Sequence, residues 1–189
     1  MPKEMGIKEK IQSTINTLVT VTRQIDVKQT NLAEKDTKIF NEIVRSKQQG
    51  NVARATMLAN ELSQIRRTKK SLAGSKIAIE SIVQRLETTK DLGDLAMTLG
   101  PAVQVAASVS KALASTIPEA TRSLSESFQD MSSMMSETGH LTGITPDIQL
   151  SNEEAEKIIY EAQLAAEADV KNSFPETPTD IKQAEQEEA

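Results

Sequence analysis

The sequence contains no cysteine and no tryptophan, and aromatic residues make up only 2% of its 189 residues. The absence of cysteine excludes disulfides and thiolate metal sites. A compact globule of this length normally buries several large aromatic side chains, because they supply much of the buried area of a core. The apolar residues here are instead mostly Ile, Leu, Val, Ala and Met. This composition predicts an all-α protein held together by seams between helices.

The chain also shows no segment that is typical of secretion or membrane insertion. No apolar run follows Met1-Pro2-Lys3, so no signal peptide is predicted. The longest stretch without a charge, 95–110, is short, partly polar and interrupted by Gly100-Pro101, which argues against a bilayer span. We therefore expect a cytoplasmic protein.

No constellation of residues for catalysis is present. The sequence has no phosphate-binding glycine loop, no nucleophile beside a base, and no cluster of His or carboxylates at metal-ligand spacing. The single histidine, His140, stands in a predicted loop, where an exposed polar role is more common than catalysis. The sequence therefore predicts no enzyme, no cofactor and no metal.

The net charge of −5 divides unevenly along the chain. Residues 1–90 contain 17 Lys and Arg against 9 Asp and Glu, whereas residues 91–189 contain 5 against 18. A basic half joined to an acidic half is typical of three arrangements: polyanion binding, docking of the tail on the body, and head-to-tail assembly. These three arrangements can coexist.

Two series of apolar residues recur every seven positions in the first half. This repeat is typical of helices packed along a left-handed seam. Gly50 and Asn51 lie between the series, where Gly suits the end of one helix and Asn the cap of the next. The seam residues are Ile11, Leu18, Ile25, Leu32 and Ile39, then Leu58, Ile65, Leu72, Ile79 and Leu86.

The numbering of the two series indicates that they face each other within one chain. Facing residues in an antiparallel pair have a constant sum of residue numbers, and here each pair from 39 with 58 to 11 with 86 gives 97. The centre falls between Gln48 and Gln49, in the predicted turn. The sequence thus predicts an antiparallel hairpin about 60 Å long. The alternatives are a chance periodicity or a coiled coil between separate chains.

Basic residues flank this seam on one side. The register sets Lys28 opposite Lys69, and two facing lysines repel each other in a buried layer. We therefore expect their side chains to extend outward and form a basic edge, which could lie on an anionic membrane or track nucleic acid. The alternative is an ordinary solvated face. The predicted edge consists of Lys28, Lys35, Arg66, Arg67, Lys69, Lys70 and Lys76.

The second half is predicted to be more broken than the first. Gly100-Pro101 indicates a bend, and Ser151 with Glu154 forms a capping box that opens an acidic helix. The expected organisation is a helical core over 1–138, with hairpin arms at about 5–48 and 52–99 and shorter helices at about 102–116 and 118–138, then a flexible linker at 139–150, an acidic regulatory helix at 151–171 and a disordered tail at 172–189.

This layout resembles the ESCRT-III superfamily, especially its archaeal cell-division (Cdv) branch. Three features carry the resemblance: the basic hairpin whose second arm opens with Gly50-Asn51-Val52-Ala53-Arg54-Ala55, a Met-rich fourth helix ending Met134-Met135-Ser136-Glu137-Thr138-Gly139, and the acidic tail helix. Together they cover the chain to about residue 178. The resemblance implies a core filament paralogue, and we expect no winged-helix extension of the kind that some archaeal members carry.

The resemblance implies a subunit that polymerises, with itself or with paralogues, into filaments that constrict or sever membranes. It implies peripheral binding to the anionic inner face of the membrane, at a division site or during vesicle budding. It also implies an acidic tail that masks the hairpin, and an AAA ATPase that binds this tail through its microtubule-interacting-and-transport (MIT) domain. Phe174, Pro175 and Pro178 loosely resemble the proline-containing motif that such domains bind, with a plain linker as the alternative.

Two other functions remain open from the residues alone. A helical nucleic-acid-binding protein would use the same basic edge, but no aromatic residues interleave with it for base stacking, so nucleic acid is not the expected partner. A coiled-coil adaptor would need neither membrane nor polymer.

Overall fold

The computed structural model describes residues 6–173, and this part of the chain contains helices and no strands. The predicted all-α fold is confirmed. The five helices are α1 (Ile7–Gln48), α2 (Val52–Glu87), α3 (Leu92–Leu113), α4 (Pro118–Thr142) and α5 (Ile148–Ser173).

The α1–α2 hairpin turns where the sequence indicates. Gly50 adopts φ +71°, in the left-handed region that favours glycine. The side-chain oxygen of Asn51 accepts a hydrogen bond from the backbone N–H of Arg54 over 3.1 Å, which caps α2. The 42 residues of α1 extend about 60 Å at 1.5 Å rise per residue.

The second arm is shorter than predicted. It ends at Glu87 and not at Leu99, and α3 starts at Leu92, after the four intervening residues 88–91. The hydroxyl of Thr88 donates to the carbonyl of Gln84 at the end of α2, and the Asp91 carboxylate accepts from the Asp94 N–H over 2.9 Å at the start of α3. The prediction of a second arm over 52–99 was wrong because polar side chains cap the two helices at residues 88–91. These residues include no Gly or Pro that would have indicated the break.

The bend predicted at Gly100-Pro101 does not end a helix, because α3 is continuous through this pair. A helix-interior proline removes one backbone hydrogen bond, that to the carbonyl four residues earlier. That residue is Met97, which is exposed. Gly100 and Pro101 are themselves buried against the rest of the protein. The predicted helix over 102–116 is therefore the second half of a longer helix.

The predicted linker over 139–150 shortens to residues 143–147. Helix α4 continues past Gly139 and His140 and ends at Thr142. The residue that caps it, Gly143, adopts φ +70°. Helix α5 begins before the predicted capping box, since the Asp147 carboxylate accepts from the N–H groups of Gln149 and Leu150. Ser151 thus lies inside α5, buried, and is not its cap.

The shorter helices pack along the open half of the hairpin. Helix α3 packs against α2 and α4, α4 packs against α1, and α5 packs against α2 and α3. By length and composition α3 could cross a membrane, but more than half of its apolar stretch is buried inside the protein. Its apolar character is that of a core helix between α2, α4 and α5.

Candidate functional site

The predicted seam forms the interior of the hairpin. Eight of its ten residues are buried, and the other two, Ile11 and Leu58, are partly buried and pack against the same core. Burying an apolar side chain of this size stabilises the fold by about 1.5–3 kcal/mol. The seam is therefore the main source of hairpin rigidity.

Ion pairs between the two arms flank this seam. The two residue numbers of a pair add up to 102 in two pairs and to 96 in the third. These sums lie on either side of 97, the sum that the sequence predicts for facing seam residues. The spread is expected, because long basic side chains reach along the helix axis before they meet a carboxylate. The pairs are Asp26 with Lys76, Asp36 with Arg66, and Glu42 with Arg54.

Among the residues of the predicted basic edge, Lys69 differs most from its predicted position. Its side chain was expected to extend outward, but it is buried between the arms, with 7% of its surface exposed. Burial lowers the pKa of Lys69, while the negative charge of Asp36 opposes this shift and the positive charge of Arg66 adds to it. The prediction for Lys69 was wrong because the sequence register did not reveal that Asp36 is buried beside it.

Asp36 is the residue that sequence reasoning missed. Only 2% of its surface is exposed, and its carboxylate accepts two hydrogen bonds from the guanidinium of Arg66, over 2.8 and 3.1 Å. A signal was available, because Asp36 falls seven residues before buried Ile43 and fourteen after buried Thr22. That spacing assigns an acid to the hairpin interior, where it needs a cationic partner.

The remaining residues of the predicted edge fall into two groups: cations that face solvent, and cations that pair with an acid of the same chain. Lys35 and Arg67 are exposed, and Lys28 is half-buried. Lys76 donates to Asp26 of α1, and this hydrogen bond raises the pKa of Lys76. Lys70 pairs with an acid of α5, so the edge is partly neutralised within the chain.

Helix α5 docks on the hairpin through a narrow face of small and aliphatic residues. Ala155, Ile158, Ala162 and Ala166 are buried against α2 and α3. Gly74 of α2 faces this contact, and a Cβ atom added there would lie 3.6 Å from Cγ of Gln163, an ordinary packing distance. Because these side chains are small, α5 buries little apolar area for its 26 residues.

Two ion pairs hold α5 at its two ends. Arg85 pairs with Glu154 over 2.8 Å near the start of α5, and Lys70 pairs with Glu167 near its end. The Lys70 ammonium lowers the pKa of Glu167 by hydrogen bonding and by charge. The order of these pairs shows that α5 runs antiparallel to α2. The acidic helix therefore lies on the basic arm.

Within residues 6–173, no group of three or more His, Asp or Glu side chains could hold a metal ion. The predicted ATPase-recruiting residues Phe174, Pro175 and Pro178 lie outside the described residues. The arrangement of the described residues is that of a helical hairpin with an acidic helix docked on its basic arm.

The sequence matches a known protein family over most of its length. The sequence profile of the Snf7 family matches residues 13–181. This span contains the hairpin from its first buried layers, all of α3, α4 and α5, and the first part of the tail.

Two curated relatives come from the archaeon Sulfolobus acidocaldarius. Cell division protein B1 is 32% identical over 155 residues, which cover 82% of this chain and 72% of that protein. Cell division protein B is 31% identical over 147 residues, which cover 78% of this chain and 56% of that protein. No solved structure matches the chain.

Proposed function

Because the chain belongs to the Snf7 family of ESCRT-III proteins, we propose that it is a membrane-remodelling subunit of an archaeal-type cell-division apparatus. The family assignment confirms the resemblance drawn from the sequence. The two relatives are named as cell division proteins, and this supports a role in division over one in vesicle budding. The place of action would be the inner face of the membrane at the division site.

The single observation that carries the mechanism is the docking of acidic α5 on the basic arm α2. Docked, α5 covers apolar residues of α2 and α3 and neutralises Lys70 and Arg85. Released, it would expose both surfaces at once. Neighbouring hairpins could then stack side by side into a filament, with the basic edge against anionic lipid, where each cation contributes roughly 1 kcal/mol.

The docking of α5 is suited to reversal. Its buried face is mostly alanine, and exposed ion pairs contribute only about 0–1 kcal/mol each. A partner of moderate affinity could therefore displace it. In this proposal an AAA ATPase binds the tail after α5 through its MIT domain and remodels the polymer.

Sedimentation with liposomes tests the membrane part of the proposal. The full chain and a variant truncated at residue 146 would be mixed with neutral and with anionic vesicles, at low and at high salt. We expect the truncated chain to bind anionic vesicles more strongly, and added salt to weaken this binding. Equal binding to neutral and anionic vesicles would contradict the electrostatic part.

Electron microscopy of the same samples tests the polymer. We expect rings, spirals or coated tubules with the truncated chain and anionic liposomes, and few with the full chain. A truncated chain that stays monomeric would contradict the regulatory role of α5. Soluble dimers without membrane binding would favour a coiled-coil adaptor, and retention by DNA alone would favour a nucleic-acid-binding protein.

A further inference from the structure

A groove of about 620 Å³ lies between α1 and the turn that joins α3 to α4. Its apolar lining comes from Val27, Ile117 and Pro118. Val27 is 63% exposed, a large fraction for a valine. The α1 residues of the lining run from Thr20 to Asn31, and this length of about 16 Å accommodates about three turns of a second helix.

Charged and polar groups surround this apolar lining. Arg23 and Lys28 contribute two positive charges and Glu119 one negative charge, and none of the three forms an ion pair with another residue in 6–173. The side-chain oxygen of Gln24 is buried at the groove and accepts no hydrogen bond from the part of the chain that the structure describes. The groove therefore fits an apolar helix face that carries more acids than bases and one hydrogen-bond donor.

Helix α5 presents such a face to solvent. Tyr160 and Leu164 lie one turn apart on the same side of α5, and 61% and 49% of their surfaces are exposed. Within the three turns from 153 to 164, Glu154 is already paired with Arg85. The other charged residues of these turns are three exposed acids and one exposed base, Glu153, Glu156, Glu161 and Lys157.

A second copy has to supply this face, because docked α5 lies away from the groove of its own chain. Helix α5 packs against α2 and α3, whereas the groove is lined by α1 and the α3–α4 turn. Buried Ala155, Ile158 and Ala162 occupy the side of α5 that contacts the hairpin, so Tyr160 and Leu164 point away from it.

We propose that the outer face of docked α5 in one copy of this chain binds in the α1 groove of a second copy. Tyr160 and Leu164 would pack against Val27 and the rest of the apolar lining. The hydroxyl of Tyr160 would donate a hydrogen bond to the side-chain oxygen of Gln24, the buried acceptor that lacks a donor among the described residues.

The charges of the two surfaces complement each other. Two bases and one acid give the groove a net charge of +1, and three acids and one base give the outer face of α5 a net charge of −2. Arg23 and Lys28 would lie beside the acids of α5, and Lys157 would lie beside Glu119. Complementary potentials of this kind favour the correct partner and the correct orientation.

The contact should be weak and reversible. Two apolar anchors and a few solvent-screened charges are typical of a small, transient interface, so we expect a Kd of roughly 10–100 µM. The contact joins copies whose α5 is docked, whereas the filament of the proposed function forms after α5 is released. The inference therefore goes beyond that function, and either can fail without the other.

Tyr160 reports on the contact in the natural chain, because the sequence contains no tryptophan and no other tyrosine. Acrylamide quenching of its emission would be measured in solution without lipid, from about 2 µM to about 500 µM protein. We expect the quenching constant to fall roughly twofold or more over this range, because an interface excludes solvent from its central side chains. A quenching constant that does not change with concentration would overturn the proposal.

A matched pair of variants locates the second surface. Val27→Asp places a carboxylate in the apolar lining and should abolish the concentration-dependent protection of Tyr160. Val52→Asp makes the same change at the hairpin tip, at a similarly exposed valine, and should leave the protection intact. Equal effects of the two variants would overturn the assignment of the groove.

Disulfide trapping identifies the two facing surfaces, because the natural sequence contains no cysteine. A chain with Val27→Cys and a chain with Leu164→Cys would be mixed and oxidised, and the intact mass would identify each crosslinked pair. We expect this pair to form roughly tenfold faster than the pair of Leu164→Cys with Val52→Cys, because docking raises the local concentration of the thiols. Equal rates would overturn the proposal, and so would faster crosslinking of Val27→Cys with itself, which would assign the groove to a symmetric contact.

A charge swap tests the electrostatic side by analytical ultracentrifugation. Arg23→Glu with Lys28→Glu in one chain, or Glu153→Lys with Glu156→Lys in another, should each weaken self-association roughly tenfold. A mixture of the two chains should associate about as tightly as the natural chain, since reversed acids then face reversed bases. A mixture as weak as its separate components would overturn the pairing of these charges.

The control for the charge swap makes the same change outside the groove. Lys8→Glu with Lys38→Glu alters two exposed lysines of α1 that do not line it, and self-association should stay close to that of the natural chain. An effect as large as that of Arg23→Glu with Lys28→Glu would show that net charge alone, and not the groove, controls association.

Discussion

The guanidinium of Arg66 donates two hydrogen bonds to the carboxylate of Asp36, from Nε over 2.8 Å and from a terminal nitrogen over 3.1 Å. The pair joins the two hairpin arms from inside, since the Asp36 side chain is almost fully buried. Lys69 is buried nearby and senses both charges. One acid thus lies beside two cations in the interior of the hairpin.

Removing that acid should destabilise the hairpin strongly. Asp36→Ala leaves Arg66 and Lys69 without their carboxylate, and breaking such a buried pair costs about 3–5 kcal/mol. Arg66 retains some contact with solvent, so we expect a loss of about 2–4 kcal/mol in the free energy of unfolding. Urea denaturation followed by circular dichroism measures this.

The neighbouring exposed acid provides the control for this experiment. Glu34→Ala should change the free energy of unfolding by less than about 0.5 kcal/mol. Replacing all three charges at once, with Asp36→Leu, Arg66→Leu and Lys69→Leu, should restore stability close to that of the natural chain or exceed it, because apolar residues avoid the desolvation of buried ions. A triple variant as unstable as Asp36→Ala would show that the ion pair itself is net stabilising.

Two buried glycines should respond to alanine in opposite directions. At Gly74 an added Cβ would make ordinary contacts, the nearest at 3.6 Å, so Gly74→Ala should stabilise α2 by about 0.5–1 kcal/mol. At Gly100 the Cβ would lie 2.4 Å from Oγ of Ser151 and 3.0 Å from Cβ of Pro146. We expect Gly100→Ala to cost about 1–3 kcal/mol.

Thermal unfolding of both variants measures these effects. Adding Ser151→Ala to Gly100→Ala removes the nearest clashing atom and should recover part of the loss. If Gly100→Ala were as stable as the natural chain, the start of α5 would not pack against α3 as closely as the structure places it.

The hairpin could be predicted from the sequence because its packing repeats every seven residues and its turn has its own local signals at Gly50 and Asn51. The all-α class could be predicted from the composition, which has few aromatic residues and is rich in Ile, Leu, Val, Ala and Met. The break between α2 and α3 could not, because it depends on capping by Thr88 and Asp91 in a stretch without Gly or Pro. Such caps are common inside helices as well, so they do not mark an end by themselves.

The candidate site was predicted less completely than the fold. Solvent-facing cations such as Lys35 and Arg67 follow from helix periodicity alone. The burial of Lys69 depends on the charge of Asp36 across the seam, and the course of α3 through Pro101 depends on the packing of α5 over Gly100. Both are tertiary effects that override local preference, and a single sequence does not show them.

The docking of α5 should depend more on one buried side chain than on its ion pairs. Ile158→Asp places a carboxylate in the apolar contact with α2 and α3, and we expect hydrogen exchange of the α5 amides to rise on the order of 100-fold. Lys70→Glu should raise it only about fivefold, because the ion pair that it removes is exposed to solvent and therefore screened.

Hydrogen-exchange mass spectrometry compares these variants, with Tyr160→Asp as the control at an exposed site of the same helix. Tyr160→Asp should exchange like the natural chain. A larger effect from Lys70→Glu than from Ile158→Asp would mean that electrostatic attraction, and not apolar burial, holds α5 on the hairpin.

Acidification should loosen the end of α5 through Glu167. The Lys70 ammonium holds the pKa of this carboxyl below its ordinary value of 4.5, so the docked state binds fewer protons there than the released state. The contribution of Glu167 to docking is therefore complete above pH 4.5 and is lost as the pH falls through the lowered pKa. Methyl NMR of Val170, in the last turns of α5, follows the change. We expect Glu167→Gln to remove this pH-dependent change and 0.5 M salt to weaken it. The control Glu156→Gln, at an exposed position on the same helix, should leave the change intact. A change that persists in Glu167→Gln would assign the acid response to another carboxylate.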